Sequence, residues 1–179
     1  WNSADWSASN DTVRGGKSES YLDINASFSA AKFRGTLDIK TLGGAGFASQ
    51  RTSGDERSWD LSKYDGVELK IKKADSMKYT FTIKDELLPR NPENGREQST
   101  TSYEFDFSFD SRVLKDGDDA IFIPWSDLKA TYRGKPKPDA PELDLKNIKR
   151  FSILFSTSFF GDQEGPFTLS IKSIAAVKR

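Results

Sequence analysis

The sequence predicts an all-β protein, a sandwich or barrel built from many short strands. Runs such as 79–84 and 103–109 alternate apolar and polar residues with a period of two, which is typical of strands with one buried face. Turn pairs such as Asp65-Gly66 separate these runs, and helical periodicity is almost absent. A chain of 179 residues is long enough for one domain with a sizeable core, so we expect a single domain over residues 1–179.

Each expected element follows from the same patterns, taken in chain order. The predicted strands are 33–39, 47–51, 67–72, 79–84, 103–109, 120–123, 151–156 and 167–174. Segments 125–129 and 145–150 each suit one helical turn. The stretches 85–101 and 134–142 contain several prolines and charges, which predicts exposed loops. Each of these loops, taken singly, is explained by a solvated connection as well as by a site.

The composition excludes several function classes. Histidine and cysteine are both absent, which rules out Ser-His-Asp and Cys-His catalysis, disulfides and zinc-thiolate sites. Lys plus Arg and Asp plus Glu both number 27, so no overall field attracts nucleic acid. No stretch approaches the roughly 20 apolar residues of a membrane span. The chain begins at Trp1, and we expect a trimmed form that has lost any targeting sequence.

Two glycine-rich segments near the start, 14–18 and 43–46, do not fit a nucleotide-binding loop. The phosphate loop would require a glycine at position 11, where the chain has Asp11. Arg14 and Arg51 lie next to these glycines, and a guanidinium can hold a carboxylate in a two-bond fork, with Asp11 as the candidate partner. A structural ion pair is the simpler interpretation, and recognition of an anionic ligand or an acidic partner loop is the alternative.

Other clusters of chemically interesting residues have simple structural explanations. The acidic segment 115–119 lacks calcium-loop spacing and is interpreted as a polar hairpin turn. Trp1, Trp6 and Trp59 could contribute to a sugar-stacking platform, whereas Trp125 follows a strand and is expected to pack at its end. We expect no catalytic residue, no metal and no cofactor.

Six segments together resemble one known family, the complex I intermediate-associated proteins, or CIA30 family. Each is short, but they occur in the family's order and cover nearly the whole chain. The segments are 10–20, 43–52, 59–69, 122–128, 132–134 and 165–174.

The resemblance implies a galactose-binding-like jelly-roll β-sandwich and a role without chemistry. Such a protein would be an assembly chaperone for mitochondrial complex I, binding complex I assembly intermediates or other assembly factors. The expected location is the mitochondrion, with a cytoplasmic or secreted protein as alternatives. The alternative function is a carbohydrate-binding module, which would line up aromatic side chains on a concave sheet face. The candidate partner-binding residues, with loop 85–101, are Asp11, Arg14, Arg51, Trp125 and Arg133.

Overall fold

The computed structural model describes residues 1–110, 119–157 and 163–179, and these form two antiparallel sheets packed face to face. The predicted jelly-roll β-sandwich is therefore confirmed. The predicted polar turn at 115–119 lies almost entirely outside the described residues and stays a prediction.

Twelve strands are present in the described part of the chain. In chain order they are β1 (Trp6–Ala8), β2 (Glu19–Asn25), β3 (Ala30–Leu37), β4 (Phe47–Thr52), β5 (Gly66–Ala74), β6 (Lys78–Lys84), β7 (Ser102–Ser108), β8 (Asp119–Pro124), β9 (Lys129–Tyr132), β10 (Lys135–Pro136), β11 (Arg150–Ser156) and β12 (Gly165–Val177). One sheet has seven strands in the order β1-β4-β11-β6-β7-β9-β10. The other has five in the order β2-β3-β12-β5-β8.

The described helices are single 3-10 turns. Their bounds are Ser3–Asp5, Asp11–Arg14, Ala26–Phe28 and Trp125–Asp127. Among the described residues, no helix has the length and apolar character that a membrane crossing needs.

The core lies between the sheets and is formed by the apolar half of each alternating run. The seven-stranded sheet contributes Tyr79, Phe81 and Ile83 of β6 to this core, and the five-stranded sheet contributes Phe167 of β12. Phe155 of β11 stacks on Phe167 with ring centroids 4.4 Å apart. Burial of each such side chain contributes about 1.5–3 kcal/mol, so the pattern fixes which face of every strand points inward. The intervening polar residues must then form the outer faces.

The predicted strands agree with the structure to within a few residues, but β2, with seven residues, and three short strands were not predicted. β1, β9 and β10 contain three, four and two residues, too few to show an alternation. The predicted helical turn at 125–129 is present as the 3-10 turn Trp125–Asp127. The one predicted at 145–150 is wrong, because Ile148 bridges to Trp59 and Arg150 already begins β11.

Candidate functional site

A cleft of about 800 Å³ lies on the outer face of the seven-stranded sheet. Its floor is formed by β4, β11, β6 and β7. Its rim is formed by the 3-10 turn Asp11–Arg14, by loop 85–101 and by the turn between β9 and β10. The volume lies within the range of about 300–1,000 Å³ that ligand pockets usually have.

Strand register places one polar row across the cleft floor. Arg51 of β4 pairs with Ser152 of β11, Ser152 pairs with Thr82 of β6, and Thr82 pairs with Glu104 of β7. Partners directly opposite each other in antiparallel strands point to the same face, so all four side chains project into the cleft. The sequence encodes this row as the polar half of four alternating runs.

Two arginines on the floor hold a carboxylate between them. Arg150 of β11 has 3% of its surface exposed, although it lies on the outer face of the sheet. One Glu97 oxygen accepts from Arg51 and the other accepts from Arg150. Arg150 also donates to Asp55 at 3.1 Å and to the Gly54 carbonyl at 3.2 Å. Loop 85–101, which carries Glu97, thus covers charges that an open sheet would leave in water.

The same floor shifts the pKa of several ionisable groups, including Lys84 and Glu104. Burial lowers the pKa of Lys84, whose Nζ donates to Thr100 at 3.0 Å; the carboxylate of Glu97 opposes this shift and the charge of Arg150 adds to it. Burial also raises the pKa of Glu104. Perturbed ionisable groups inside a cleft are a recognised mark of functional sites, and here both shifts favour the uncharged form.

The rim presents two of the predicted arginines to solvent. Arg14 ends its 3-10 turn before Gly15, which has φ 82°, and its guanidinium lies 5.8 Å from the Phe47 ring centroid. Arg133 and Gly134 form the two-residue connection between β9 and β10, with φ of 50° and 75°. Two successive positive φ values are those of a type I′ turn, the connection that suits the twist of a hairpin.

Asp11 lies beneath this rim and is fully buried. Its carboxylate accepts from the Ser18 amide at 3.0 Å, the Ser18 hydroxyl at 2.6 Å and the Phe47 amide at 3.1 Å. A Cβ on Gly16 would lie 2.3 Å from Asp11 Oδ1, so this position must be glycine for Asp11 to fit. The first glycine motif therefore encloses a buried carboxylate and joins the N-terminal segment to β4.

The predicted pairing of Asp11 with Arg14 or Arg51 is wrong. Asp11 is satisfied by a hydroxyl and backbone amides, and the carboxylate partner of Arg51 is Glu97. Because it is fully buried, Asp11 can position the rim but cannot touch a partner.

Trp125 lies apart from the cleft. Its Nε1 donates to the Tyr64 carbonyl at 2.7 Å, and its ring packs against the core at the end of β8, as expected for a strand end. Trp1 and Trp6 contact each other in a tilted arrangement with centroids 5.5 Å apart, and Trp6 contacts Phe151 edge-on at 5.6 Å. The tryptophans therefore pack against other rings and the core, rather than forming a row on the cleft floor.

Sequence reasoning did not assign a site role to four residues at the centre of the site, although one of them lies in the predicted loop 85–101. They are Lys84, Glu97, Glu104 and Arg150. Alternation places Lys84, Glu104 and Arg150 on the outer face of the sheet. Their burial depends on the loop that covers this face, and alternation does not predict it. Glu97 has no local signal beyond its place in a charged loop.

The family model for Complex I intermediate-associated protein 30 (CIA30) matches residues 2–171. The chain belongs to the CIA30 family. It is also 46% identical over 182 residues to an uncharacterised Schizosaccharomyces pombe protein, C9E9.15, with coverage of 100% of this chain and 80% of the relative.

Solved structures similar to this CIA30 chain are bacterial carbohydrate-binding modules. The family 11 module of the cellulosomal cellulase Lic26A-Cel5E of Clostridium thermocellum superimposes with a TM-score of 0.60 at 16% identity, covering 98% of this chain and 88% of the module. The Clostridium thermocellum module in complex with a β-1,3-1,4-mixed-linked tetrasaccharide gives 0.54 at 14% identity, with 98% and 91% covered. At this identity the likeness shows a shared galactose-binding-like sandwich.

Three segments that carry the CIA30 resemblance meet at the cleft. Segment 10–20 contributes Arg14, segment 43–52 contributes Arg51, and segment 132–134 contributes Arg133. They are far apart along the chain and come together only because β4 lies beside β1 and the β9–β10 turn reaches the same face.

Proposed function

We propose that this chain is a non-catalytic, protein-binding assembly factor for mitochondrial complex I, with the cleft as its partner-binding surface. Arg14, Arg51 and Arg133 would contact the partner together with loop 85–101, and Asp11 would hold the rim in place. Membership of the CIA30 family supports the role. The observation that carries the choice of surface is the meeting of three family-like segments at one cleft.

The ionisable groups of the cleft support binding rather than hydrolysis. A glycosidase needs two carboxyl groups free to act on a substrate. Of the two carboxylates among the described lining residues, Glu97 is held by two guanidinium groups, which leaves Glu104 alone. A cleft of this kind can recognise charge, and it lacks a paired acid and base.

Affinity purification of the tagged full-length protein from its native cells, followed by mass spectrometry, tests this function. We expect enrichment of complex I subunits or other assembly factors from the mitochondrial fraction. Arg133→Gln should reduce that enrichment, while Lys135→Gln, on the same hairpin but outside the cleft, should not. Recovery without any complex I component, together with unchanged complex I levels after deletion, would contradict the proposal.

Carbohydrate binding is the second candidate, favoured by the fold shared with modules that include a tetrasaccharide complex. Neutral sugars stack on exposed aromatic rings. Among the described cleft residues, the aromatic side chains are Phe47 and Phe151, and both are partly buried. The cleft floor therefore fits a charged partner better than a neutral glucan. A glycan array with strong neutral-sugar hits would reverse this order.

A further inference from the structure

Positive charge is concentrated in the cleft of a chain that is neutral as a whole. Among the described lining residues there are seven cations and two carboxylates. Three of the cations lie on the strands of the floor, namely Arg51, Lys84 and Arg150. The other four lie in loops and turns of the rim, namely Arg14, Arg90, Arg96 and Arg133. A walled cleft with one sign of charge focuses its field and attracts ligands of the opposite sign.

Glu97 shows which chemical group the floor accepts. Its two oxygens are taken by different guanidinium groups, those of Arg51 and Arg150, so one carboxylate is shared between two strands. Charge-assisted bonds of this kind are about twice as strong as neutral ones, and a carboxylate is one of their usual acceptors. The side chain of Glu97 is 25% exposed, so this carboxylate lies at the boundary between the floor and solvent.

Donors in the cleft outnumber the acceptors that the chain supplies. The Nε atoms of Arg51 and Arg150 are buried with no partner among the described residues. Within the same part of the chain, Arg14, Arg96 and Arg133 are exposed and pair with no carboxylate. An unpaired buried donor is costly, so an acceptor that reached these atoms would be stabilised by them.

Glu97 lies in loop 85–101, a segment without strands that is held in place by a few polar contacts. Arg90 pairs with Asp55 at 2.9 Å, and Gln98 donates to the Pro89 carbonyl at 2.6 Å. Apart from turns, loop 85–101 has no regular secondary structure. A segment with few buried apolar contacts opens at low free-energy cost compared with the sheet beneath it.

We propose that the cleft binds an acidic polypeptide segment, and that a carboxylate of this segment replaces Glu97 between Arg51 and Arg150. The other acidic residues of the segment would contact the rim arginines. The proposal rests on the proposed function, because it names the chemistry of the partner segment that an assembly factor would hold at this cleft.

The test uses the whole chain and a fluorescein-labelled deca-glutamate peptide, with deca-glutamine as the neutral control, in fluorescence anisotropy titrations. We expect binding of the acidic peptide alone. Arg51→Gln should weaken it by about tenfold, since it removes half of the carboxylate clamp. Arg133→Gln should weaken it by about threefold, and Lys135→Gln should leave it unchanged, because only the former lines the cleft.

If a peptide carboxylate replaces Glu97, one substitution should strengthen peptide binding rather than weaken it. Glu97→Gln removes the internal competitor and should tighten peptide binding, by about tenfold. Glu104→Gln is the same substitution in the same cleft without touching the arginine pair, and is the matched control. Glu97→Gln is expected to lower the melting temperature of the free protein, because it removes the carboxylate between two arginines. The peptide-induced rise in melting temperature is therefore measured in parallel and should be larger in this variant. Equal effects of the two substitutions would overturn the exchange.

Competing ligands and the affinity purification distinguish a failure of this inference from a failure of the proposed function. Tighter binding of a heparin-derived oligosaccharide or of a single-stranded oligonucleotide than of the peptide would overturn the polypeptide assignment. Enrichment of complex I subunits in the affinity purification, with no peptide binding, would remove this inference and leave the proposed function standing. Peptide binding without any complex I component would remove the proposed function and leave the chemistry of the cleft.

Discussion

The outer faces of the two sheets have the same kind of sequence and very different environments. On the five-stranded sheet, Asp23 and Arg34 form an ion pair with nearly half of each side chain exposed. On the seven-stranded sheet, Arg150 occupies an equivalent outward position and is almost fully buried, with Glu97 and Asp55 around it. The difference is the loop that covers one face. A period-two pattern predicts which side chains point away from the core. Whether these side chains are exposed to solvent depends on which other segments of the chain cover that face.

The largest contrast is expected from removing the buried arginine. Arg150→Gln should lower the free energy of unfolding by about 3 kcal/mol, because truncating one member of a buried charge network leaves its partners poorly compensated. Arg34→Gln on the open face should change it by less than about 1 kcal/mol, since exposed pairs contribute little. Urea denaturation of both variants measures the difference. Equal losses would show that the two faces are energetically alike.

A second contrast compares two aspartates. Asp11→Asn should cost about 2 kcal/mol, because the amide turns a donor toward groups that now donate to a buried carboxylate. Asp23→Asn, in the exposed pair, should stay within about 1 kcal/mol. The same denaturation series tests both. A loss at Asp23 as large as at Asp11 would count against the structural role of the buried carboxylate.

A smaller effect is expected from Glu104 and depends on pH. Burial raises its pKa in the folded state, so between the ordinary glutamate pKa and the raised one the folded protein holds a proton that the unfolded chain has lost. Glu104 therefore reduces stability as pH rises through this window, and the penalty persists above it. Glu104→Gln should be more stable than the native chain at neutral pH, by less than the Asp11→Asn effect, and the gain should vanish below about pH 4.

Thermal melts from pH 3 to pH 8 measure this difference. Glu19→Gln, at an exposed glutamate on the outer face of β2, is the same substitution outside the cleft and serves as the control. A pH-independent gain in Glu104→Gln would contradict the assignment of the penalty to a buried charge.

The smallest effect on stability is expected at the rim, where the covered face again meets solvent. Arg133→Asn introduces a residue that tolerates the positive φ of this position. The free energy of unfolding should therefore change by less than about 0.5 kcal/mol. Deca-glutamate binding should nonetheless weaken, and more at low salt than at high salt, because an exposed charge acts through a screened field. A stability loss above 1 kcal/mol would show that the arginine side chain has a packing role.

The sequence was enough to predict the sandwich, because hydrophobic alternation is local. β5, β6 and β11 each lie within three residues of their predicted bounds. β2 was not predicted although it has seven residues. β1 and the β9–β10 hairpin were also missed, since strands of two to four residues exist only through their neighbours. The turn predicted at 145–150 failed for a related reason: the bridge between Trp59 and Ile148 decides its conformation, and that contact is long-range.

The candidate site was predicted in part. Arg14, Arg51 and Arg133 were identified from short motifs, and the structure brings them to one cleft. The partner of Arg51 was misassigned because Asp11 and Glu97 are 40 and 46 residues away along the chain, so sequence distance does not distinguish them. Arg150 could not be singled out, because its burial depends on a loop that no local pattern orders.

The row across the cleft floor gives the sheet a direction. Arg51 stands at one end and Glu104 at the other, with Ser152 and Thr82 between them. Adjacent strands are about 4.8 Å apart, so a guanidinium and a buried carboxyl group end a row roughly 14 Å long. An anionic group on a ligand would be attracted at the arginine end, whereas the carboxyl group at the other end offers it no such attraction. A polar chain that crosses these strands therefore has a preferred direction.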